Sequence, residues 1–543
     1  MRLYVYEKIM ADKRAENIIE RNNQMESRKS LWLSTWQEIT DYVIPRKNNI
    51  LTKGSPGAKR IPVTLFDSTA IHANDLLASS LQGAFAISNI SMRYASEELN
   101  EDDDAVAWLD DCTRRTRKQF LVSNLRTESH EVFLDCTSVA TGLMLSEEKT
   151  LASAGFNGLR FTAFPVQDYC VDENAEGYVD TVFRRIEYSA RQAYQMFGEN
   201  AGKSTIDALK KEPHKIIKYV HAVFPASEYA QKVPGARKFV SVIVCVDDVV
   251  TVQVRGYHEF PYVCPRWSKA SGEIQGRGPA YNAMPDIKCL NKIKELGLTA
   301  LAKDIDPPLG VPESLGKLKL TPGQQNPMRP DLIEKIKPLL SMARHDVVEI
   351  KIEDLKDSIR KIFYTDQLQI QKMAQMTATE ASITFELMQR LLGPTFGRFE
   401  SEMFTPMVDR VFGIMLRGGA FAEPPPIVIE LGAEIDIEYE GPLARAQRQT
   451  EAKSIREWLD DLIQAASIKP EIFDVPDMDE IAKYLGRTRG VPEKLMRKID
   501  AIRNIREQRA QEQQAMQEQQ TMLEGAKVAP GVVKAMNEMG SAA

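Results

Sequence analysis

The sequence predicts an α+β protein, with helices towards both ends of the chain and a β-rich layer between them. The helical prediction rests on segments with one apolar face, of which Met376 to Leu416 is the longest. Its apolar side chains recur every three to five residues from Ile383 to Met415, and only Gly-Pro and Thr-Pro interrupt it. Such a helix spans about 60 Å at ~1.5 Å per residue, a reach typical of proteins that brace large assemblies. The β prediction rests on residues 141–263, where alternating and β-branched runs predominate.

The composition limits the classes of protein that the chain can belong to. Its 543 residues suffice for roughly three or four domains, and 43% hydrophobic residues describe a globular protein. No run of about 18 apolar residues is long enough to span a bilayer, and the charged N-terminus lacks the apolar core of a secretory signal. We therefore expect an intracellular product with no membrane contact. Because 70 basic and 76 acidic side chains leave a net charge of -6, any contact with nucleic acid must be local or weak.

The first elements are predicted to be helices. A charged helical segment runs from Lys8 to Val43, stops before Pro45 and leads into a turn-rich loop. A second helix follows Asp67 or Ser68, either of which can cap its first turn. A third is predicted from Asp102 to Ser123.

Strand patterns then take over, bounded by turn residues. They occupy residues 142–148, 159–173, 178–188, 216–224, 238–257 and 261–268.

Helix returns over residues 280–304 and again around Ile350, and the stretch between them cannot be helical throughout. Residues 306–330 hold six Pro and three Gly. This insert reads either as a compact module that projects from a helical stalk and offers its tip to a partner, or as a plain surface loop.

The C-terminal quarter is predicted to open with a pair of short strands, residues 427–432 and 435–441. Helices follow from Ala444 to Ala466 and from Glu493 to Glu524. The last helix has few apolar positions, many glutamines, and arginines that step by three along one side at Arg503, Arg506 and Arg509. A helix so polar buries little surface alone. It is therefore either a solvated tail or one helix of a tube whose lumen must not bind tightly what passes through it.

One motif resembles a nucleotide site without meeting its requirements. The segment GENAGKST, residues 198–205, has three residues between its glycines, whereas a phosphate-binding P-loop needs four and follows a strand. The preceding ARQAYQMF has a helical pattern, so we expect no nucleotide binding and no cofactor.

Metal and nucleophile sites are not indicated either. The acidic run from Glu101 to Asp104 fits the start of a helix better than a cation site, and Asp304 and Asp306 give weaker support for a metal. Six histidines show no HxH or HExxH spacing, and no GxSxG is present. Six cysteines lie far apart without a CxxC pair, which predicts buried, reduced thiols.

Five phrases carry a resemblance that runs nearly end to end: residues 36–47 (WQEITDYVIPRK), 74–85 (NDLLASSLQGAF), 276–295 (GRGPAYNAMPDIKCLNKIKE), 376–402 (MTATEASITFELMQRLLGPTFGRFESE) and 439–448 (YEGPLARAQR). Together they resemble the portal, or head-to-tail connector, protein of short-tailed bacteriophages. The segment NISMRYAS departs from that family, whose members often carry Trp or Phe near Ser91 and Met92.

The resemblance implies a portal fold with a helical stem, a β-rich wing, a Pro-rich clip and a helical crown or barrel. The implied regions are the wing, 1–275; the first stem helix, 276–305; the clip, 306–348; the second stem helix, 349–364; a tunnel loop, 365–375; the long wing helix and closing strands, 376–440; the crown, 441–490; and a C-terminal helical barrel or tail, 491–543.

It also implies a function without catalysis. The chain would form a dodecameric ring at a capsid vertex of the virion, after synthesis in the host cytoplasm, and would pass double-stranded DNA during packaging and ejection. Implied partners are other copies of the chain, the terminase large subunit, tail adaptor or tail proteins, and the major capsid and scaffolding proteins.

Candidate contact residues follow from the same resemblance. They are Gln367, Gln369, Gln371 and Lys372 in the tunnel loop, Arg503, Arg506 and Arg509 in the barrel, and Pro312, Glu313, Lys317 and Lys319 in the clip.

The charge balance fits a conduit, because a channel that bound many phosphates would hold DNA in place. A few isolated cations and Gln side chains contact the DNA backbone without reading bases. Energy would come from a separate terminase ATPase. Two other classes stay open: an ATP-driven DNA translocase, which needs a true P-loop, and a helical scaffold or structural virion protein without a channel, which as a coiled coil needs sustained heptads.

Overall fold

A computed structural model describes most of the chain. The described residues are 2–47, 50–51, 65–84, 92–99, 102–149, 155–229, 237–305, 309–310, 337–338, 345–368, 392–431, 435–439, 442–466, 475–488 and 502–517.

Helices make up much of the described chain. In order they are α1 (Arg2–Val43), α2 (Thr69–Ala84), α3 (Asp103–Val122), α4 (Leu125–Ser138), α5 (Ala190–Phe197), α6 (Lys203–Lys211), α7 (Pro279–Ile305), α8 (His345–Ile362), α9 (Thr365–Leu368), α10 (residues 392–399), α11 (Thr405–Arg417), α12 (Pro426–Leu431), α13 (Pro442–Ala466), α14 (Met478–Thr488) and α15 (residues 502–517).

The strands lie in four antiparallel sheets within the described residues. They are β1 (Met92–Ala95), β2 (Leu143–Glu148), β3 (Leu159–Phe164), β4 (Tyr169–Glu173), β5 (Val179–Ser189), β6 (Ile216–Pro225), β7 (Phe239–Cys245), β8 (Val250–Tyr257), β9 (Tyr262–Val263), β10 (Leu309–Gly310), β11 (Lys337–Pro338) and β12 (Asp436–Tyr439). The α+β class and all six predicted strand segments between residues 142 and 268 are confirmed.

The chain divides into two compact units, the first with residues 1–90 and 115–421 and the second with residues 91–114 and 422–543. This division cuts across the region predicted as a wing, since residues 91–114 group with the C-terminal part. The wing, clip and crown boundaries therefore stay predictions.

A five-stranded sheet in the order β4-β5-β6-β7-β8 is the centre of the first unit. Side chains alternate along β6, so Val220 and Ala222 join a core with α1, while Ile217 and Tyr219 join a core with α5 and α6. The two-residue period thus explains why β6 is buried on both faces. Helix α1 supplies its share of the first core through residues such as Ile18.

A second sheet in the same unit has the order β3-β2-β9, and α4 packs near it. The inner end of α4 is almost wholly buried, and the Phe133 ring meets Phe399 of α10 edge-on at 5.7 Å between centroids. Helices α2, α4, α7 and α8 pack on one another beside this sheet. The predicted cap of α2 is confirmed, because Asp67 Oδ1 accepts from the Thr69 amide at 2.7 Å.

The long helix predicted from Met376 is confirmed over its described part, residues 392–417, with one irregular turn. Residues Glu400–Phe404 form a π-helical turn, and the Thr405 amide bonds the Glu400 carbonyl five residues back. Pro406 directly follows and has no amide hydrogen for the Glu402 carbonyl, so the regular i to i−4 pattern fails here. The turn therefore stands beside the predicted proline interruption.

In the second unit, β12 pairs antiparallel with β1, so that Tyr439 lies opposite Met92. The carboxylate of Asp102 accepts from the amides of Asp104 and Ala105 at the start of α3, as predicted for the acidic run. Met92 and Tyr94 are buried in this unit.

Two predictions for the second unit are wrong. The strand predicted over residues 427–432 is wrong for residues 427–431, since Pro426–Leu431 is a helix whose first residue is a proline, which pre-sets the helical φ angle. The partner of β12 is instead β1, far away in the chain. The sequence analysis also missed α14, between the two predicted C-terminal helices.

Among the described residues, none of the helices has the length and apolar character needed to cross a membrane. The same residues contain no cluster of three or more His, Cys, Asp or Glu side chains with metal-binding geometry.

Candidate functional site

Helices α7 and α8 pack against each other and form the region that the sequence analysis predicted as a stem. The buried face of α7 includes Ala283, Ile287 and Leu290, while α8 and the residue after it contribute Ile359 and Phe363, both fully buried. The Ser358 hydroxyl donates to Asp286 Oδ2 at 2.6 Å and ties the helices together. Both helices are thereby fixed at one end of the pair.

The far half of α7 is different, because its apolar side chains are exposed. Leu298, Leu301 and Ile305 are 55%, 47% and 77% exposed, and their spacing of three and four residues places them in one stripe. Leu296 is 56% exposed and lies on the opposite side of the helix. We call Leu298, Leu301 and Ile305 the α7 stripe. Uncovered apolar surface of this kind marks a site for protein contact.

The start of α7 is anchored by a close approach between two backbone segments. Ala140, after the end of α4, has a positive φ of 66°, and its carbonyl accepts from the Trp267 amide at 3.0 Å. A Cβ on Gly276 would lie 2.3 Å from the Ala140 carbonyl oxygen, and one on Gly278 would lie 3.1 Å from the Ala140 Cβ. Only glycine leaves room for this contact. The phrase GRGP therefore places the root of α7 against the end of α4.

A fully buried arginine connects the π-helical turn to the sheets. The Arg266 side chain is 0% exposed and donates to Glu402, to Glu173 and to the carbonyls of Ile274 and Gly177. The closest of these contacts is 2.7 Å, between Arg266 Nη2 and Glu402 Oε1. Burial disfavours the charged guanidinium, but hydrogen bonds and the charge of Glu402 outweigh it and raise the Arg266 pKa. Arg266 is therefore a permanent cation inside the first unit.

The junction after α8 holds a residue in an unfavourable backbone conformation. Tyr364 has a φ of 58°, in the left-handed region where a helix usually ends on glycine. Its neighbours Phe363 and Thr365 are 0% and 3% exposed, and the Thr365 hydroxyl donates to the Arg360 carbonyl. Buried neighbours on both sides hold Tyr364 in place, so the direction in which the chain leaves α8 is fixed.

The arginines of α15 differ in their pairing. Arg503, Arg506 and Arg509 are all exposed, but Arg506 forms two 2.6 Å hydrogen bonds with the Asp479 carboxylate of α14. The hydrogen bonds and charge of Asp479 raise the Arg506 pKa. Among the residues that the structure describes, Arg503 and Arg509 form no ion pair. Their charges are thus more available to an external anion than that of Arg506.

A family model described as bacteriophage head to tail connecting protein matches residues 15–496, most of the chain. The chain belongs to this family. The resemblance drawn from the sequence phrases is thereby confirmed, and the family is one of structural connectors and not of enzymes.

Two relatives agree with this assignment. The chain is 25% identical over 537 residues to the probable portal protein of Bordetella phage BPP-1, covering 94% of each protein. It is 24% identical over 523 residues to the portal protein of Salmonella phage epsilon15, covering 93% of this chain and 92% of that one.

The phrases that carry the resemblance form buried contacts of the connector where they are described. Trp36 and Ile39 of WQEITDYVIPRK are 1% and 2% exposed, and Lys47 binds the buried Asp135 carboxylate at 2.7 Å. In the 276–295 phrase the glycines meet Ala140, and in the 376–402 phrase Glu402 meets Arg266. The described residues of these phrases therefore contribute to the internal packing of the chain.

The structure describes only part of the predicted contact residues. Gln367 lies in the short helix α9, so the segment predicted as a loop begins with one helical turn. The helix predicted as the second stem helix begins at His345 and not at residue 349. Strands β10 and β11 pair within the predicted clip. The remaining tunnel-loop candidates Gln369, Gln371 and Lys372, and the clip candidates Pro312, Glu313, Lys317 and Lys319, lie outside the described residues.

The resemblance to a P-loop is explained by a different structure. Residues 190–197 are helical, as predicted, and α6 follows the 3-10 turn Gly198–Ala201. The Asp248 carboxylate accepts from the Ser204 amide at 2.9 Å and so occupies the position where a phosphate would bind. Gly202 would place a Cβ 2.4 Å from the same carboxylate. The start of α6 is therefore capped by the protein itself.

The prediction that all the cysteines are buried is wrong for one of them. All six are free thiols, and Cys289 on α7 is exposed.

Sequence reasoning missed the α7 stripe and the Arg266–Glu402 pair as features of the site. The apolar spacing in LTALAKDI contained the signal for the stripe. No local pattern indicated the pair, because its members are 136 residues apart.

Proposed function

We propose that this connector assembles into a dodecameric ring at one capsid vertex and forms the channel through which DNA enters and leaves the head. The observation that carries the proposal is the α7–α8 pair in a chain of the connector family. Its inner end is buried against its own unit, and its outer end exposes the α7 stripe. A stripe that cannot be buried within the described part of its own chain fits contact with a second copy.

Ring closure requires that each copy present two different faces to its neighbours, because head-to-tail contacts are heterologous. Helix α7 has exposed apolar residues on opposite sides, with the α7 stripe on one and Leu296 on the other. This arrangement supports a ring over a two-fold dimer, whose contact would use one face twice.

The charge distribution supports passage of DNA without tight binding. The whole chain has a net charge of -6, and α15 combines exposed glutamines with only two unpaired arginines among its described residues, Arg503 and Arg509. Since each neutralised phosphate adds salt-dependent affinity, a sparse set of cations guides DNA without holding it. Repetition around a ring multiplies these weak contacts.

The partners proposed for the ring follow from the family. A connector between head and tail contacts capsid and scaffolding proteins on one side and tail proteins on the other. We propose that the region between α7 and α8, with Pro312, Glu313, Lys317 and Lys319, binds the terminase large subunit during packaging and a tail protein afterwards.

The test is the mass of the assembled protein by light scattering, with negative-stain images for shape. We expect a ring of twelve chains of 61.2 kDa each with a central hole. The double variant Leu298→Glu/Leu301→Glu places charges in the α7 stripe and should shift the mass towards the single chain. The control Lys211→Glu makes the same change of two charge units at an exposed position on α6, away from α7, and should leave the ring intact.

Three outcomes separate the possible failures. A wild-type chain that stays monomeric under assembling conditions contradicts the ring and favours a helical scaffold without a channel. A ring that persists in the double variant places the contact elsewhere. Loss of the ring in Lys211→Glu as well shows a general effect of the changed charge.

A further inference from the structure

A cavity of about 470 Å³ lies within the first unit, beside the π-helical turn. Its walls come from the start of β5, the start of β7, the segment at β9 and residues 401–406. The volume falls in the range of pockets that bind small ligands. The features that decide its chemistry are the rings of Tyr178, Phe239, Phe260 and Tyr262 and the carboxylates of Asp180 and Glu402.

The aromatic wall is held in place before any ligand arrives. The Phe239 and Phe260 rings lie 5.1 Å apart and the Phe260 and Tyr262 rings 6.0 Å apart, both tilted. The Tyr262 hydroxyl pairs with His221 Nδ1 at 3.3 Å, and His221 Nε2 pairs with Ser241 at 2.8 Å. Because its hydroxyl is engaged in this buried network, Tyr262 offers the cavity apolar ring surface.

The His221 network is electrically neutral. Burial, with the nearby charge of Arg184, lowers the pKa of His221 to about 3. At neutral pH the imidazole therefore carries no charge that would repel a cation in the cavity.

The two carboxylates of the cavity differ in whether they form ion pairs. Glu402 accepts from Arg266 and from Arg398, so its charge is already balanced. Asp180 accepts from the Thr181 hydroxyl at 3.0 Å, and no cation lies in ion-pair distance of it among the described residues. Burial raises the Asp180 pKa, and neither the Thr181 hydrogen bond nor the charge of Arg21, which is itself paired with Glu228, offsets this effect.

A fixed aromatic wall and one carboxylate without an ion pair make a combination that recognises organic cations. Aromatic faces attract ammonium and guanidinium groups, and a carboxylate supplies the opposite charge. Tyr178 is 49% exposed at the mouth, where it can cover a bound group. We propose that this cavity binds an alkylammonium or guanidinium group, with Asp180 as its counter-charge and the aromatic rings as its walls.

Two sources can supply such a group, a Lys or Arg side chain of a second copy of the chain and a free polyamine. The proposal does not depend on the ring, because binding by either source is measurable on the full chain in any assembly state.

The first experiment is calorimetric titration of the full chain with ethylguanidinium and with its neutral analogue ethylurea. We expect the cation alone to bind, and Asp180→Asn to weaken it by about tenfold or more, as expected for loss of a charge-assisted contact. The matched control is Glu176→Gln, an exposed carboxylate in the nearby turn that does not line the cavity. Tyr178→Leu, at an exposed position, should also weaken binding, because it removes an aromatic ring from the cavity. This variant keeps the proposal testable if Asp180→Asn does not fold.

Equal binding of ethylguanidinium and ethylurea would overturn the proposal, as would equal effects of Asp180→Asn and Glu176→Gln. The effect of Asp180→Asn on the assembled fraction identifies the source of the bound cation. If a second copy provides the cation, Asp180→Asn and added ethylguanidinium both reduce the assembled fraction. If the ligand is free, assembly is unchanged and the assembled protein binds spermidine in an Asp180-dependent way; both results support the proposal.

Discussion

At the scale of single residues, Arg266 carries an ion pair that is removed from solvent. Its side chain is fully buried and Glu402 is 8% exposed, so neither charge is compensated by water. The π-helical turn brings Glu402 to this position, while the loop after β9 brings Arg266. Such a pair specifies how the long helix docks on the sheets, although the pair itself contributes little net stability.

The variant Arg266→Met leaves the buried Glu402 carboxylate with Arg398 as its remaining charged partner, beside the backbone amide of residue 266. We expect the free energy of unfolding to fall by about 3–5 kcal/mol, because a buried carboxylate that loses its closest charged partner is costly. The double variant Arg266→Met/Glu402→Leu removes both charges and should recover part of this loss. Urea denaturation of the two variants measures the difference, and a double variant no more stable than the single one would contradict the account.

At the scale of elements, the close approach of the GRGP segment to Ala140 sets the root of α7. Gly276→Ala would bring a methyl group to 2.3 Å from a backbone carbonyl, which a rotamer change cannot relieve. We expect a loss of roughly 1–3 kcal/mol or more in the free energy of unfolding, from overpacking against backbone.

Gly83→Ala is the matched control for this substitution. Gly83 lies in α2 with nothing within 4 Å of its added Cβ, so the same change should stabilise the chain by about 0.5–1 kcal/mol. Thermal unfolding compares the two variants. A tolerated Gly276→Ala would show that the two backbone segments can separate.

Elements with local signals were predictable, and elements that depend on distant partners were not. The alternation along β6 and the caps Asp67 and Asp102 lie within a few residues of what they determine. The strand prediction for residues 427–432 failed because a short apolar run is equally compatible with a short helix that begins at the third of three prolines. Strand β12 has the expected pattern, but its pairing with β1 is a non-local choice.

At the scale of the whole molecule, Cys289 reports on assembly. It lies seven residues before Leu296 on α7, hence on the same side of the helix, and it is exposed. The other five thiols are buried, and burial raises the pKa of Cys264 to about 12. A maleimide should therefore label one thiol in the native dissociated chain, and Cys289 should be protected in the ring if both sides of α7 meet neighbours. Mass spectrometry of each fraction measures this, and equal labelling would confine the contact to the α7 stripe.

Family membership was predictable because the phrases that carry the resemblance are distributed along nearly the whole sequence, and their described residues form buried contacts. The candidate site was predictable only in outline, as two helices around an insert. Which arginine of α15 forms an ion pair depends on Asp479, a residue of another helix, and this pairing cannot be read from the periodicity of α15 itself.

The π-helical turn at Glu400–Phe404 also has a meaning in terms of helical phase. It accommodates one residue more than an α-helical turn would, and each residue turns the chain by about 100°. The side chains of α11 are therefore rotated about the helix axis by about 100° relative to their positions in an uninterrupted α-helix. Phe399 of α10 and Val411 of α11 are buried on faces that a continuous α-helix would not present in the same phase. One extra residue thus keeps the buried side chains before and after Pro406 on the same side of one long helix.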